Sequence, residues 1–516
     1  MKISCGKRYH LMTLLFGVVL LIVYALTCYG GLRSPDSEIV FRTAESLVTR
    51  HQWDVPNPVE SWPEFGLATG IDGKKYSVFG PLQSILAAPL VAFGKAINPT
   101  PWYAELTFTV PPSHLLDYGF DRALKGMPIS HLDGHALRFV TGFFNSFVSA
   151  ASAIMIWWIA VALWNCVRTA ATLTFMYALG TLAWPYSGTF FSEPLATFFA
   201  LSSLYFLIRW HHTQDRWALA LCAGFSLGLS TATHITSILF VPFFAAAFLQ
   251  WPLKIRVRDF VPISAFLAGL CVVLALLGWY NYARFGNPLE TGRSVDPVLA
   301  EKLHYGHWIA PTNLPQLLVG PAKGLLLFCP LIAVAIVFWP AFFRTHRRIA
   351  IAILAASLIR IVFIASRSDW HGGFCLGPRY LVAIIPMLLL PLGSGLHRAF
   401  STERLAWIRC ALAAGFLAAV QQAYFVSTEI FGYLYLTRLQ TAIENFRFGT
   451  VHDSWRHSPL FRQLNGPTGP WLANALELRP LATWMCLLIV LVCLVSLLYG
   501  FVRLPRPLPR DNAEGT

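Results

Sequence analysis

The feature that most constrains this chain is a succession of long apolar runs. They lie near 11–30, 138–164, 169–186, 194–209, 217–233, 235–250, 260–282, 322–343, 349–366, 379–396, 405–428 and 481–502. About 20 apolar residues in a helix cross the hydrocarbon core of a bilayer. Inside that core every backbone N–H and C=O must be satisfied within the protein, which leaves helices as the form such runs can take. The expected fold class is all-α: a polytopic helical membrane bundle of about 12–13 transmembrane helices with large external loops. Composition agrees, since hydrophobic residues make up 56% of the chain and charged residues only 12%. An average soluble domain has about 25% charged residues.

The net charge of +14 does not point to nucleic acid. The basic residues sit between apolar runs, where they set topology, and no Lys/Arg-rich block or RNA-binding motif is present. The ten cysteines are scattered, without a C-x-x-C pair or a disulfide spacing, and read as small core residues. The N-terminus MKISCGKRYH precedes an apolar stretch long enough to span, and A-L-T-C at Cys28 is a poor lipidation box. Residues 11–30 are therefore expected to be an uncleaved first helix with its N-terminus in the cytoplasm.

Short basic loops alternate with longer mixed ones. Arg209/Arg216, Lys254/Arg256/Arg258, Arg344/Arg347/Arg348, Arg398/Arg404 and Arg503/Arg506/Arg510 mark the cytoplasmic side by the positive-inside rule. The loops 29–78, 187–193, 283–321, 367–378 and 429–480 then face outward. The segment 79–98 breaks the parity of this count: it either crosses as a thirteenth span or is interfacial or re-entrant, and Pro81 and Pro89 suit an irregular segment covered by protein. A transmembrane module over 1–396 with an external first loop 31–78 is expected. It is followed by further helices over 397–503 with an external loop 429–480, and by a disordered Pro/Arg-rich tail, 504–516.

The outward side holds the polar residues of interest. In SPDSEIVFRTAESL, Ser34 suits an N-cap and Pro35 the first turn of a helix running to about Arg50. Asp36 and Glu38 fall in that first turn, where the helix dipole favours acids; either could also serve as a general base beside the membrane. The apolar positions Ile39, Val40, Phe41, Ala44, Leu47 and Val48 would lie on the membrane surface. In FFSEPL, Glu193 opens a span. In SDWHGGFCLGPRYL, Asp369, His371 and Arg379 crowd a glycine-rich turn. Arg379 at a helix N-terminus opposes the dipole and would be at ease with an anion. Arg284 in NYARFGNPLETG and Lys323 in VGPAKGLLLFCP are two further cations suited to a lipid phosphate or to headgroups. His234 in STATHITS reads as a hydrogen-bonded core histidine. Acids and cations gathered at one face are what transfer from a lipid-phosphate donor needs. A base deprotonates an acceptor hydroxyl, and cations stabilise the departing phosphate.

The chain resembles the C-type membrane glycosyltransferases, which include protein O-mannosyltransferases and lipid A aminoarabinose transferases. The resemblance runs to about residue 395 and rests on the order of SPDSEIVFRTAESL, KKYSVFGPLQSILAAP, WPYSGTFFSEPLATFFAL, GLSTATHITSILFVP, NYARFGNPLETG, KGLLLFCP and WHGGFCLGPRYLVAIIP. It implies a polyprenyl-phosphate-linked sugar donor, transfer on the external or periplasmic face with inversion at the sugar carbon, and a bacterial inner or plasma membrane location. It maps the first-loop catalytic acid onto Asp36, with Glu38 as alternative, and a second acid onto Glu193. Lys75 and Tyr76 fall where family members line the substrate site, and Arg379 is the candidate for the donor phosphate. Two departures stand out. Ser37 separates two acids that are often adjacent in the family, and residues 99–134 form a Pro- and His-rich insertion.

No cofactor is expected. Asp369, His371 and His234 could ligate a divalent metal, but nothing has zinc-site spacing. The expected partners are the lipid-linked donor, membrane lipids and an acceptor that is a protein, lipid or polysaccharide. A carrier or flippase for a lipid-linked glycan is the alternative function, although carriers place charged sites at mid-membrane between repeats and no repeat is visible here. A glycan polymerase or ligase is another, using a diphosphate donor.

Overall fold

The computed structural model describes residues 2–28, 32, 34–56, 65–97, 135–213, 216–249, 257–295, 313–373, 375–427 and 454–461. The insertion 99–134, the span 481–502, the tail and most of the loop 429–480 lie outside the described residues. The main helices are α1 (Lys2–Leu26), α2 (Pro35–Arg50), α3 (Pro81–Ile97), α4 (His135–Gly142), α5 (Phe144–Trp164), α6 (Val167–Gly180), α7 (Glu193–Thr213), α8 (Trp217–Thr233), α9 (Val257–Phe285), α10 (Arg347–Ala365) and α11 (Leu405–Val426). The bundle is all-α, as expected. Among the described residues five helical stretches are long and apolar enough to cross a membrane: Leu137–Trp164, Phe260–Phe285, Arg347–Ala365, Arg379–Ser401 and Leu405–Val426. Other expected spans are shorter or broken. The run 322–343 forms three short helices, Leu325–Phe328, Pro330–Ile336 and Trp339–Thr345, and both breaks, at Cys329 and at Val337-Phe338, precede a proline in the first turn of the next helix, Pro330 and Pro340, where proline cannot continue the ladder.

Burial separates the centre of the bundle from its rim. Arg379–Ser401 is 83% buried, against 28% for the apolar stretch of α9 and 17% for α11. The centre is therefore built on the segment that begins with Arg379. At the rim, α8 and α9 meet through glycines. A Cβ on Gly224 would strike the carbonyl of Phe266, and one on Gly269 that of Leu221, so these small residues let the two backbones approach closely.

Helix α2 forms as its sequence predicts. Ser34 Oγ accepts a hydrogen bond from Ser37 N at 3.2 Å, Pro35 opens the first turn, and the helix ends at His51, in the left-handed region at φ 57°. Its apolar positions do not lie on the membrane surface. Ile39, Val40, Phe41 and Ala44 are buried inside the protein, and Leu47 and Val48 are half-buried. Helix α3 packs against α2 and α4, and Ser84 Oγ donates to Val40 O at 2.8 Å. An apolar stripe has the same sequence pattern whether lipid or protein covers it.

Two other expectations change. The segment 79–98, open in the sequence between a further span and an irregular stretch, contains a regular helix, α3, with Pro89 inside it. The first loop adds a small antiparallel hairpin, β1 (Leu67–Thr69) with β2 (Lys75–Ser77), with Ala68 opposite Tyr76.

The site lies at one end of the bundle. The basic residues Arg209, Arg216, Arg344, Arg347, Arg348, Arg398 and Arg404 sit at helix ends and turns away from it, for α7 begins at Glu193 and ends at Thr213, and α10 begins at Arg347 and ends at Ala365.

Candidate active site

Three distant segments meet here. The first turn of α2 brings Asp36, the N-terminus of α7 brings Glu193, and the loop 366–378 leads into Arg379. Arg379 Nη1 donates to Asp36 Oδ2 at 2.8 Å. Arg379 Nε lies 3.1 Å from Glu193 Oε1, an ion pair without the alignment of a hydrogen bond. The third nitrogen, Nη2, donates to Tyr380 OH at 3.3 Å. The rings of Phe191 and Tyr380 lie 4.5 and 5.0 Å from the guanidinium, close enough for cation–π attraction. The Asp36 side chain is 23% exposed and that of Glu193 3%, so Asp36 is the acid of this pair that an incoming molecule can reach. Glu193 Oε2 is buried and has no hydrogen-bond partner among the described residues. His234 Nε2 stands 4.0 Å from Glu193 Oε1, and its Nδ1 pairs with Thr236 Oγ1 at 2.7 Å.

A glycine-rich turn aims Arg379. Gly372, Gly373 and Gly377 all have positive φ, and a Cβ on Gly377 would also press on the Phe328 ring at 2.9 Å. Lys323 holds this turn from below. Its Nζ donates to Cys375 O at 2.8 Å and Gly373 O at 3.1 Å and lies 3.0 Å from Cys375 Sγ. Asp369 is gripped by Arg367 in a two-pronged pair at 2.6 and 2.7 Å, the fork geometry that suits guanidinium and carboxylate. Burial pushes the Asp369 carboxyl up, but Arg367 outweighs it and holds it below the usual range. Tyr380 OH donates to Asp369 Oδ2 at 3.4 Å, linking this pair to Arg379. His371 Nδ1 accepts from Gly373 N at 2.9 Å, which places the proton of a neutral ring on Nε2. Arg360, buried in α10, donates to Tyr380 O at 3.0 Å and to Thr236 Oγ1.

Glu38 points elsewhere. Arg42 Nε donates to its Oε1 at 2.8 Å, Arg138 Nη2 to Oε1 at 2.6 Å, and Arg138 Nε to Oε2 at 3.1 Å. Burial would raise the Glu38 carboxyl, but these two guanidiniums hold it below its ordinary value. Glu45, on the same side, is raised by burial.

The remaining candidates form a second group, at the hairpin. Arg284, at the end of α9, donates to Ser77 O at 2.7 Å and Asn281 Oδ1 at 2.8 Å, and its guanidinium lies 3.8 Å from the Tyr280 ring. Tyr76 OH donates to Asp72 Oδ2 at 2.7 Å. Lys75 pairs with Thr69 across the hairpin. These contacts reach neither Asp36, Glu193 nor Arg379.

The structure therefore brings together Asp36, Glu193 and Arg379, with Asp369, His371 and Lys323 in the adjoining turn. It sets Glu38, Arg284, Lys75 and Tyr76 apart from them. Sequence reasoning missed Arg360, Arg367, Tyr380, Phe191 and Arg138. Among the described residues no three His, Cys, Asp or Glu side chains gather as a metal would need. The positive charge between Asp36 and Glu193 is the guanidinium of Arg379, so these residues do not form a metal-ligand set.

No protein-family model matches the chain, and no curated protein matches its sequence. Solved structures do. The Archaeoglobus fulgidus oligosaccharyltransferase in complex with Zn and sulfate aligns with a TM-score of 0.51 at 13% identity, over 88% of this chain and 59% of that one. ArnT from Cupriavidus metallidurans, bound to undecaprenyl phosphate, aligns with a TM-score of 0.46 at 13% identity, over 95% of this chain and 77% of that one. At such identity the likeness is one of fold alone: the chain shares the helical fold of that oligosaccharyltransferase. It spans about three-fifths of the oligosaccharyltransferase's length.

Proposed function

We propose that the chain is an integral-membrane glycosyltransferase. It transfers a sugar from a polyprenyl-phosphate-linked donor to an acceptor on the external face, with inversion. The observation that carries this reading is the meeting of Asp36, Glu193 and Arg379, with Arg379 2.8 Å from Asp36 and 3.1 Å from Glu193. Asp36 is the general base and takes the acceptor's hydroxyl proton. The freed oxygen attacks the anomeric carbon, the bond from that carbon to the phosphate oxygen breaks, and its electron pair leaves on the polyprenyl phosphate. A phosphate leaving group needs no general acid. Around Arg379 three carboxylates (Asp36, Glu193, Asp369) face four cations (Arg360, Arg367, Arg379, Lys323). That surplus of positive charge suits a phosphate that gains negative charge as it departs. Arg379 is the cation best placed to meet it beside the base. Glu193 holds the other side of Arg379 and keeps it oriented. Lys323 acts on the phosphate through the turn it supports. The group of Arg284, Tyr76 and Lys75 lies at the mouth of the first loop, where it meets sugar or acceptor. The basic helix ends away from the site support an external location for it by the positive-inside rule.

The test is transfer of label from a panel of radiolabelled polyprenyl-phosphate sugars in membranes, comparing wild type with Asp36→Asn at equal expression. Transfer by the wild type that Asp36→Asn abolishes supports the reading. Transfer that Asp36→Asn leaves intact moves the base to another acid.

A further inference from the structure

Asp36 and Glu38 are two residues apart in the first turn of α2. At 3.6 residues per turn they point to nearly opposite sides of the helix. Each side is met by an arginine from far along the chain. Arg379, 343 residues away, holds Asp36 at 2.8 Å. Arg138, 100 residues away on α4, holds both oxygens of Glu38, at 2.6 Å and 3.1 Å. The Arg138 guanidinium also lies 4.5 Å from the ring of Phe41, and Arg42 closes on Glu38 from α2 itself. Glu38 and the two arginines around it, Arg42 and Arg138, are all buried.

This arrangement fixes the rotation of α2 about its own axis. A side-chain tip stands about 5–6 Å from a helix axis, so a turn of about 20° carries it roughly 2 Å. That is enough to break a hydrogen bond of ordinary length. The helix cannot swing Asp36 away from its present place without also pulling Glu38 off Arg138. The Ser34 cap fixes where the helix begins and leaves this rotation free. The packing of α2 on α3 holds the helix against its neighbour, and the grip on Glu38 is the charged contact that sets its rotation at the turn carrying Asp36.

We infer that Arg138 is a positioning residue for the reaction. Its pair with Glu38 sets the rotation of α2 and so aims Asp36 at the acceptor. This rests on the reading of Asp36 as the base; Arg138 touches neither donor nor acceptor and acts through that residue alone.

The experiment is a double-mutant cycle on the full-length protein, with transfer rate as its main readout. Arg138→Gln leaves Arg42 on Glu38, so no carboxylate is stranded. The expected loss in kcat is on the order of 10- to 100-fold, the size of a small misplacement of a catalytic group. Donor KM is expected to stay within about twofold, and Arg138→Lys to recover part of the loss. In an Asp36→Asn background, Arg138→Gln should change the residual rate by less than about twofold, because its route of action is already gone. Equal losses in both backgrounds, or an unchanged kcat for Arg138→Gln, would overturn the inference. Should Arg138→Gln fail to fold, Glu38→Gln releases the same grip, and the same pattern is expected of it.

A second arm needs no activity. With Asp36→Cys, the rate at which a methanethiosulfonate reagent modifies residue 36 is read by mass spectrometry, with Arg138 intact and with Arg138→Gln. That chain lacks the Asp36–Arg379 pair, so the grip of Arg138 is the remaining long-range ion pair on the turn. A several-fold change in rate on losing Arg138 is expected, and an unchanged rate overturns the grip. If the wild type transfers from no donor in the panel, the functional reading fails while this arm still decides whether Arg138 orients α2.

Discussion

Around Glu38 two arginines close on one acid, whereas around Asp36 and Glu193 one arginine is shared between two acids. The groups are of the same kind and the two sites stand on opposite sides of one helical turn. Their ratio of cations to acids and their exposure differ. The Glu38 side chain is 4% exposed and that of Asp36 23%. A carboxylate with two guanidiniums on it and no route to solvent is fixed as an anion and serves as a structural charge. The Asp36 carboxylate shares its cation and reaches solvent, where an incoming molecule can meet it. On the proposed reading, chemistry and scaffolding are divided between two acids that the sequence offers as equals.

The sharpest way to break this division is by rate. Asp36→Asn is expected to lower kcat by about 10²–10⁴, the usual contribution of a positioned general base. Glu38→Gln is expected to cost at least about tenfold less, acting through orientation alone. Equal losses in a side-by-side transfer assay would end the distinction. Stability should rank the two acids the other way. Glu38→Gln leaves Arg42 and Arg138 buried without their counter-ion, and breaking such a pair costs about 3–5 kcal/mol. Asp36→Asn touches a partly exposed group and leaves Arg379 its second acid, so it should cost about 1 kcal/mol. Thermal unfolding of both variants in one detergent checks the order.

The smallest expected effect is on pH dependence. The Glu38 carboxyl is held below its ordinary value by Arg138 and Arg42 against the effect of burial. A depressed acid stabilises the fold fully above its unfolded pKa, about 4.3, and that stability is lost as pH falls through the lower folded-state value. The slope approaches about 1.4 kcal/mol per pH unit for one proton. Unfolding followed between pH 5 and pH 3 should show this loss in wild type and a flatter curve in Glu38→Gln. Parallel curves would mean that Glu38 is not held by its arginines.

How much of this was legible in the chain depends on whether a signal is local. The start of α2 could be read because Ser34-Pro35 followed by two acids is a local signature of a helix N-terminus. Asp36, Glu193 and Arg379 could be nominated because each is a charge at the end of an apolar run. Their pairing could not be read, since ion pairs across hundreds of residues leave no mark on spacing. The choice between Asp36 and Glu38 depended on Arg138, which stood inside the expected span 138–164 and passed as its first residue. Arg360 was visible as a cation within the apolar run 349–366, and such a group is a site signal in a membrane protein. The hairpin had a signal too, in Asp72-Gly73, a dipeptide that favours tight turns. The packing of α2 had none, because its stripe is the same against lipid as against α3.

The separation of 343 residues between Asp36 and Arg379 also has a consequence for how the protein is made. At a synthesis rate of about 5–20 residues per second, Arg379 emerges roughly 20 to 70 s after Asp36. For roughly the second half of that interval, once Glu193 has also been made, the nascent chain holds α2 and the head of α7 with neither acid joined by Arg379. The last charge to arrive closes the ion-paired cluster, so a product truncated before the glycine-rich turn would lack it. On the proposed reading, assembly of the reacting group is a late event in biogenesis.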